Sequence, residues 1–188
     1  MSLTVKLFAI CVAALLGAGC MTLSAPAYSP DYETTDRLKS VEIGKMSIGD
    51  VQPRDPEASV NKITLRGSSL IPPNGTFASY LESAIRSDLV EMGLYDPGST
   101  TRIGATILQN DIDVSGFGTG YGVMEVKLDV KQEDTRIFEK VYLANIEFES
   151  SFAGAVAIPK GQNEYPNLVR ALLKKVYEDS AFINAVKK

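Results

Sequence analysis

The stretch Met124-Glu125-Val126-Lys127-Leu128-Asp129-Val130-Lys131 alternates apolar and charged side chains without a break. That two-residue period is the mark of a strand with one buried and one wet face. Gln132 to Arg136 makes a polar turn, and Phe138 to Phe148 returns with Tyr142, Ala144, Ile146 and Phe148 on one face. The two segments predict a long antiparallel hairpin, and everything else has to supply the cover for its apolar side.

Upstream, Phe77, Leu81, Ile85, Leu89 and Met92 recur at helical spacing and predict an amphipathic helix. Thr76 is placed to cap it, and Gly93-Leu94 reads as a glycine stop followed by its apolar contact. Asn74-Gly75-Thr76 matches a glycosylation acceptor, but its position at a helix start makes capping the better account. Val41, Ile43, Met46 and Ile48 surround a first strand ended by Gly49-Asp50. Ile63-Thr64-Leu65 is a second, closed by Gly67-Ser68-Ser69, and Ile103 to Val114 another. After a small-residue loop through Gly154 and Gly161, Pro166 is expected in the first turn of a helix with Tyr165, Leu168, Leu172 and Val176 inward. A short last turn carries Phe182, Ile183 and Val186. The order β-β-α-β-β-β-α predicts an α+β two-layer sandwich, a mainly antiparallel sheet covered by two helices.

The N-terminus reads as an address. Lys6 precedes an apolar run from Leu7 to Leu16, shorter than the roughly 20 residues a bilayer span needs. Leu16-Gly17-Ala18-Gly19-Cys20 follows, small residues leading into a cysteine, with Gly17 where a lipobox usually has leucine. Residues 1–19 are therefore expected to be a lipoprotein signal peptide, and Cys20 the lipidated N-terminus. Several acyl chains there would hold firmly, at ~0.8 kcal/mol for each buried methylene. Residues 20–39, with Pro26, Ser29 and Pro30, read as the lipidated end and a flexible tether, and residues 40–188 as one domain.

Composition narrows the function. There is no histidine, which removes His-based general bases, Ser-His-Asp triads and His-ligated zinc. Of the two cysteines, Cys11 leaves with the signal and Cys20 is used, so no disulfide framework and no free thiol remain. Loss of Lys6 leaves 18 basic and 23 acidic side chains, a net charge of −5. That balance gives no footprint for nucleic acid and no polybasic grip on anionic lipid. No cofactor or metal is expected, and the chain reads as a non-enzyme.

Two clusters invite a site. Ser115-Gly-Phe-Gly-Thr-Gly-Tyr-Gly122 alternates glycines, but it has neither G-x-G-x-x-G nor P-loop spacing and precedes a strand. It is expected to be a mobile connection in which Gly116, Phe117, Gly118, Gly120 and Tyr121 form a partner-contact loop. Asp111 with Asp113, and Glu147 with Glu149, are paired carboxylates on strand faces. A hydrolase would need all four to converge in one cleft, and solvated acidic faces are far commoner.

Beyond the signal, several motifs resemble the YajG-type family of small bacterial lipoproteins. They are the helix ending at Gly93-Leu94, Asp111-Ile-Asp-Val-Ser115 entering a glycine-containing loop, Lys140-x-Tyr142-x-Ala144, and Phe152. Leu168, Leu172, Asp179 and Phe182-Ile183 complete them. The glycine run is richer than the family loop. The resemblance implies a lipid-anchored envelope protein at the outer membrane, facing the periplasm, with no catalytic residues to carry over. Met21 after Cys20, where Asp would favour the inner membrane, agrees. The expected partners are the membrane, through the lipid anchor, and another envelope protein. The alternative is an auxiliary lipoprotein of an ABC-type lipid transport system, for which an apolar groove between helix and sheet would speak.

Overall fold

The structure is a computed structural model and describes residues 22–187; residues 1–19, expected to be a signal peptide, and Cys20 lie outside the described residues. The predicted hairpin is its spine. Strands β5 (Thr101–Asp113), β6 (Thr119–Gln132) and β7 (Thr135–Glu149) form an antiparallel meander, and β2 (Ser47–Gln52) adds in parallel beside β5. A second sheet holds β1 (Thr22–Ser24), β4 (Ser68–Ile71) and β3 (Ile63–Leu65), in that spatial order. Helices α1 (Tyr32–Lys39), α2 (Phe77–Glu91), α3 (Gly154–Tyr177) and α4 (Ser180–Ala185) complete an α+β fold. The sheets are mixed, because β1 joins β4 and β2 joins β5 in parallel.

Along β6, Met124, Val126, Leu128 and Val130 are buried, as the alternation requires. They meet the stripes of α2 (Phe77, Leu81, Ile85, Leu89) and α3 (Tyr165, Leu168, Leu172, Val176), all fully buried. The Tyr165 ring sits between Phe77 and Tyr80, at centroid distances of 4.7 and 5.2 Å. Thr76 Oγ1 accepts from the Ser79 N–H at 3.1 Å, so the capping reading of Asn74-Gly75-Thr76 holds. At the other end of α2, Gly93 takes φ +70° and the Leu94 N–H donates to the Leu89 carbonyl at 2.8 Å.

Four expectations are corrected. Residues 22–39 are not a loose tether in the described part. They form β1, an extended run and α1, with Ala25, Thr34, Thr35 and Leu38 buried. Their polar composition hid this, because hydroxyls that bond locally bury cheaply: Thr34 Oγ1 donates to Asp31 and Thr35 Oγ1 to the Asp31 carbonyl. Ser68-Ser69 belong to β4, and the turn before it is Arg66-Gly67. The first strand runs through Gly49-Asp50 to Gln52. Finally, α3 begins at Gly154, so Pro159 and Pro166 lie inside it and Gly161 is helical. Proline usually ends a helix, yet Pro166 is buried on the core side of this one. Gly161 explains the other local oddity. A Cβ there would stand 2.6 Å from Val114 Cγ1, so only glycine lets the helix press this closely on β5 and β3.

Candidate functional site

One end of the molecule gathers the ends of several elements: the β3–β4 turn, the β5–β6 connection, the β7–α3 connection and the start of β1. Arg66 ties them. Its Nε donates to the Val114 carbonyl at 2.8 Å, and its terminal nitrogens donate to the carbonyls of Gly116 (3.1 Å), Ser151 (3.0 Å) and Phe152. A guanidinium has five donors in a fixed fork, which suits it to bracing two loops at once. Above this brace the rings of Phe117 and Phe152 stack, with centroids 5.1 Å apart and planes 10° from parallel. Both are unusually bare for apolar residues, 80% and 69% exposed.

The glycine run is therefore only partly a connection. Gly116, Phe117 and Gly118 lie between strands, but Gly120 and Tyr121 lie in β6. The strand glycines make room for side chains of the neighbouring strands. A Cβ on Gly120 would stand 2.4 Å from the Phe148 ring, and one on Gly122 would collide with Ile146 and Ile112. Tyr121 points to the other face of the sheet and is exposed. The five residues thus do not form one contact loop; Phe117 gains Phe152 as its neighbour instead.

On that other face the register sets Asp113 beside Tyr121 and Tyr121 beside Glu147. Asp111 and Asp113 border a shallow hollow of about 110 Å³ with Tyr121 and Asn145, but Glu147 and Glu149 do not line it. Glu149 pairs with Lys160 at 3.1 Å. Hydrogen bonds from Ser115 hold the Asp113 carboxyl below the usual range, so it is an ordinary ionised group. The four carboxylates do not converge. Among the described residues, no group of three or more acidic, His or Cys side chains is placed to hold a metal ion.

The acid that composition gave no hint of is Asp88, on α2. It is 1% exposed, and the Tyr28 hydroxyl donates to both its oxygens at 3.0 Å. Burial pushes its carboxyl up to about 7 against the opposite pull of Tyr28 and Arg170, while Asp31 adds to the rise. The buried Tyr177 hydroxyl faces the same group. This pair fastens the N-terminal segment. Further ties are Tyr80 Oη to the Pro26 carbonyl at 2.8 Å and Gln162 Nε2 to the Ser24 carbonyl at 2.6 Å. Sequence offered no signal for it, because Tyr28 and Asp88 are 60 residues apart.

The motif residues Lys140, Tyr142 and Asp179 come together. Lys140 Nζ and Tyr142 Oη donate to Asp179 Oδ2 at 2.8 and 2.6 Å, while Asp179 Oδ1 accepts from the Ala181 N–H at 2.9 Å and starts α4. Burial raises that carboxyl, but these donors win and hold it below the ordinary range. The cluster closes the C-terminal end of the fold. It is a structural latch, with its polar groups already satisfied.

The molecule is thus an α+β protein with a braced aromatic end and a folded-back N-terminal segment. A crystal structure of protein XCC0632 from Xanthomonas campestris, of the family DUF330, shares the fold. Its TM-score is 0.59 over 87% of this chain and 96% of that one, at 8% identity. A candidate lipoprotein from Caulobacter crescentus CB15 aligns with TM-score 0.46 and 13% identity, over 83% of this chain and 98% of that one. No protein-family model matches the chain, and no curated protein matches it significantly.

Proposed function

We propose that this chain is a lipid-anchored protein of the bacterial outer membrane, acylated at Cys20, whose periplasm-facing domain docks another envelope component without catalysing a reaction. The observation that carries the reading is the run Leu16-Gly17-Ala18-Gly19-Cys20 behind a short apolar segment, standing two residues before the first strand at Thr22. An anchor so close to a folded domain holds the domain at the surface it is anchored to. The YajG-type motifs and the absence, among the described residues, of any helix long and apolar enough to cross a membrane are compatible with that arrangement.

Docking is favoured over catalysis because the carboxylate pairs are solvated and apart. It is favoured over the lipid-transport alternative by the interior. Helices α2 and α3 pack directly on the sheet, and the hollow of about 450 Å³ beside α1 is open and bordered by Asp31, Glu33, Arg170 and Lys174. That is a charged surface feature, unlike an apolar groove that could receive an acyl chain.

The test compares wild type with Cys20→Ala in cells fed radiolabelled palmitate, followed by membrane fractionation. The expected result is a labelled wild-type protein in the outer-membrane fraction and an unlabelled variant that has lost that position. Equal labelling of both, or none of either, refutes acylation at Cys20. Crosslinking of the wild type in intact envelopes then identifies the docked component.

A further inference from the structure

The start of β1 and the exposed aromatic pair are at the same end of the domain. Thr22 pairs with Ser69, one residue past the Arg66-Gly67 turn and Ser68, and β1 runs parallel to β4, away from that turn. Arg66 reaches from the turn to carbonyls in both loops that carry the aromatic rings. Thr22, the first described residue, therefore stands at the end of the domain that carries Phe117 and Phe152. Two residues of fully extended chain span at most about 7 Å, so a Cys20 fixed in a bilayer cannot stand far from this end.

The chemistry of the end fits a lipid surface. Phe117 and Phe152 are stacked and bare, and Val156, one turn into α3, is exposed beside the same connection. An exposed aromatic pair in water forgoes the stabilisation that burial of its area would bring. The cations here are already engaged, Arg66 by backbone carbonyls and Lys160 by Glu149. The contact is therefore apolar, without the attraction to anionic headgroups that a basic patch provides. Gly118, next to Phe117 in its loop, has open space where a Cβ would be, so among the described residues nothing crowds that point.

We propose that this end is a second membrane contact: Phe117 and Phe152 seat in the interfacial layer of the same bilayer that holds the anchor and fix the domain's orientation on it. The proposal rests on acylation at Cys20 and is tested separately from it. After signal removal the chain has no free thiol, so a single introduced cysteine takes a label uniquely. Gly118→Cys keeps both rings, and Asp134→Cys, in the β6–β7 turn at the far end, is the control. Each purified acylated variant carries an environment-sensitive nitrobenzoxadiazole probe in phosphatidylethanolamine–phosphatidylglycerol vesicles, with and without lipids brominated near the headgroup.

The expected result is blue-shifted emission quenched by brominated lipid at position 118 and neither effect at 134, unchanged by high salt. Adding Phe117→Ser and Phe152→Ser should abolish the quenching at 118 while the protein stays with the vesicles. A vesicle-bound protein whose 118 probe behaves as in water overturns the aromatic contact and leaves the anchor standing. The contact is equally overturned if that probe becomes shielded only when another envelope protein is added. A protein that does not remain with the vesicles at all removes the anchor, and the aromatic contact with it.

Discussion

Replacing Asp88 by Asn should remove a specific pH dependence from the stability of this fold. Asp88 is buried under the N-terminal segment, and its two oxygens share the single hydroxyl proton of Tyr28. Burial pushes its carboxyl up to about 7 from the 3.8 of a free aspartate. At 1.36 kcal/mol per unit the linked free energy is about 4 kcal/mol. The folded state holds the proton more tightly than the unfolded chain. The stabilisation is therefore complete below pH ~4, falls as the pH rises, and is gone above pH ~7. Asn keeps an oxygen for the Tyr28 hydroxyl and carries no titratable proton. Urea unfolding of both proteins, followed by far-UV circular dichroism from pH 4 to 8, should show wild type losing about 4 kcal/mol relative to Asp88→Asn across that window. Asp31 and Arg170 face the same region, with opposite effects on the carboxyl, and both remain in the variant. A difference between the two proteins that stays constant across the window refutes the reasoning: Asp88 would then be ionised throughout and held by its donors rather than neutralised by burial.

Two further substitutions probe the packing. Gly161→Ala should gain about 1 kcal/mol of helix propensity but lose about 1–3 kcal/mol to overpacking. A Cβ 2.6 Å from the short Val114 side chain has no flexible neighbour to displace, so a net lowering of the urea midpoint is expected. Arg66→Met should cost about 2 kcal/mol, the scale of charge-assisted hydrogen bonds partly exposed to water. It should also speed hydrogen exchange selectively at residues 114–118 and 150–153.

The period-two run from Met124 and the helical stripe from Phe77 were legible because each is a local pattern repeated over many residues, and each buries the face it predicts. The glycine run was harder. Glycine carries the same local signal whether it loosens a connection or admits a neighbour, and what decides at Gly120 is the Phe148 ring on the next strand. Pro166 misled for a related reason. Its usual meaning is a helix start, while its place inside α3 depends on the helix having begun twelve residues earlier among small residues. The N-terminal segment offers a three-residue strand and a helix whose buried face is largely threonine, too little apolar pattern to stand out. The reading of Cys20 rests on its immediate neighbours alone, and the residue lies outside the described ones. The braced aromatic end was half legible: Phe117 stands out in its loop, but Arg66 acts across 48 to 86 residues of sequence.

Among the described residues, no strand pairs with the outer edge of β7, 15 residues long, in the larger sheet. Open ladders of this length are templates for self-association. Lys175, reaching from α3, donates to the Leu143 carbonyl at 2.7 Å in the middle of that edge. A strand from a second copy would have to evict an ammonium group to claim that acceptor. Lys175 thereby takes one acceptor out of the row that a second copy's strand would have to read.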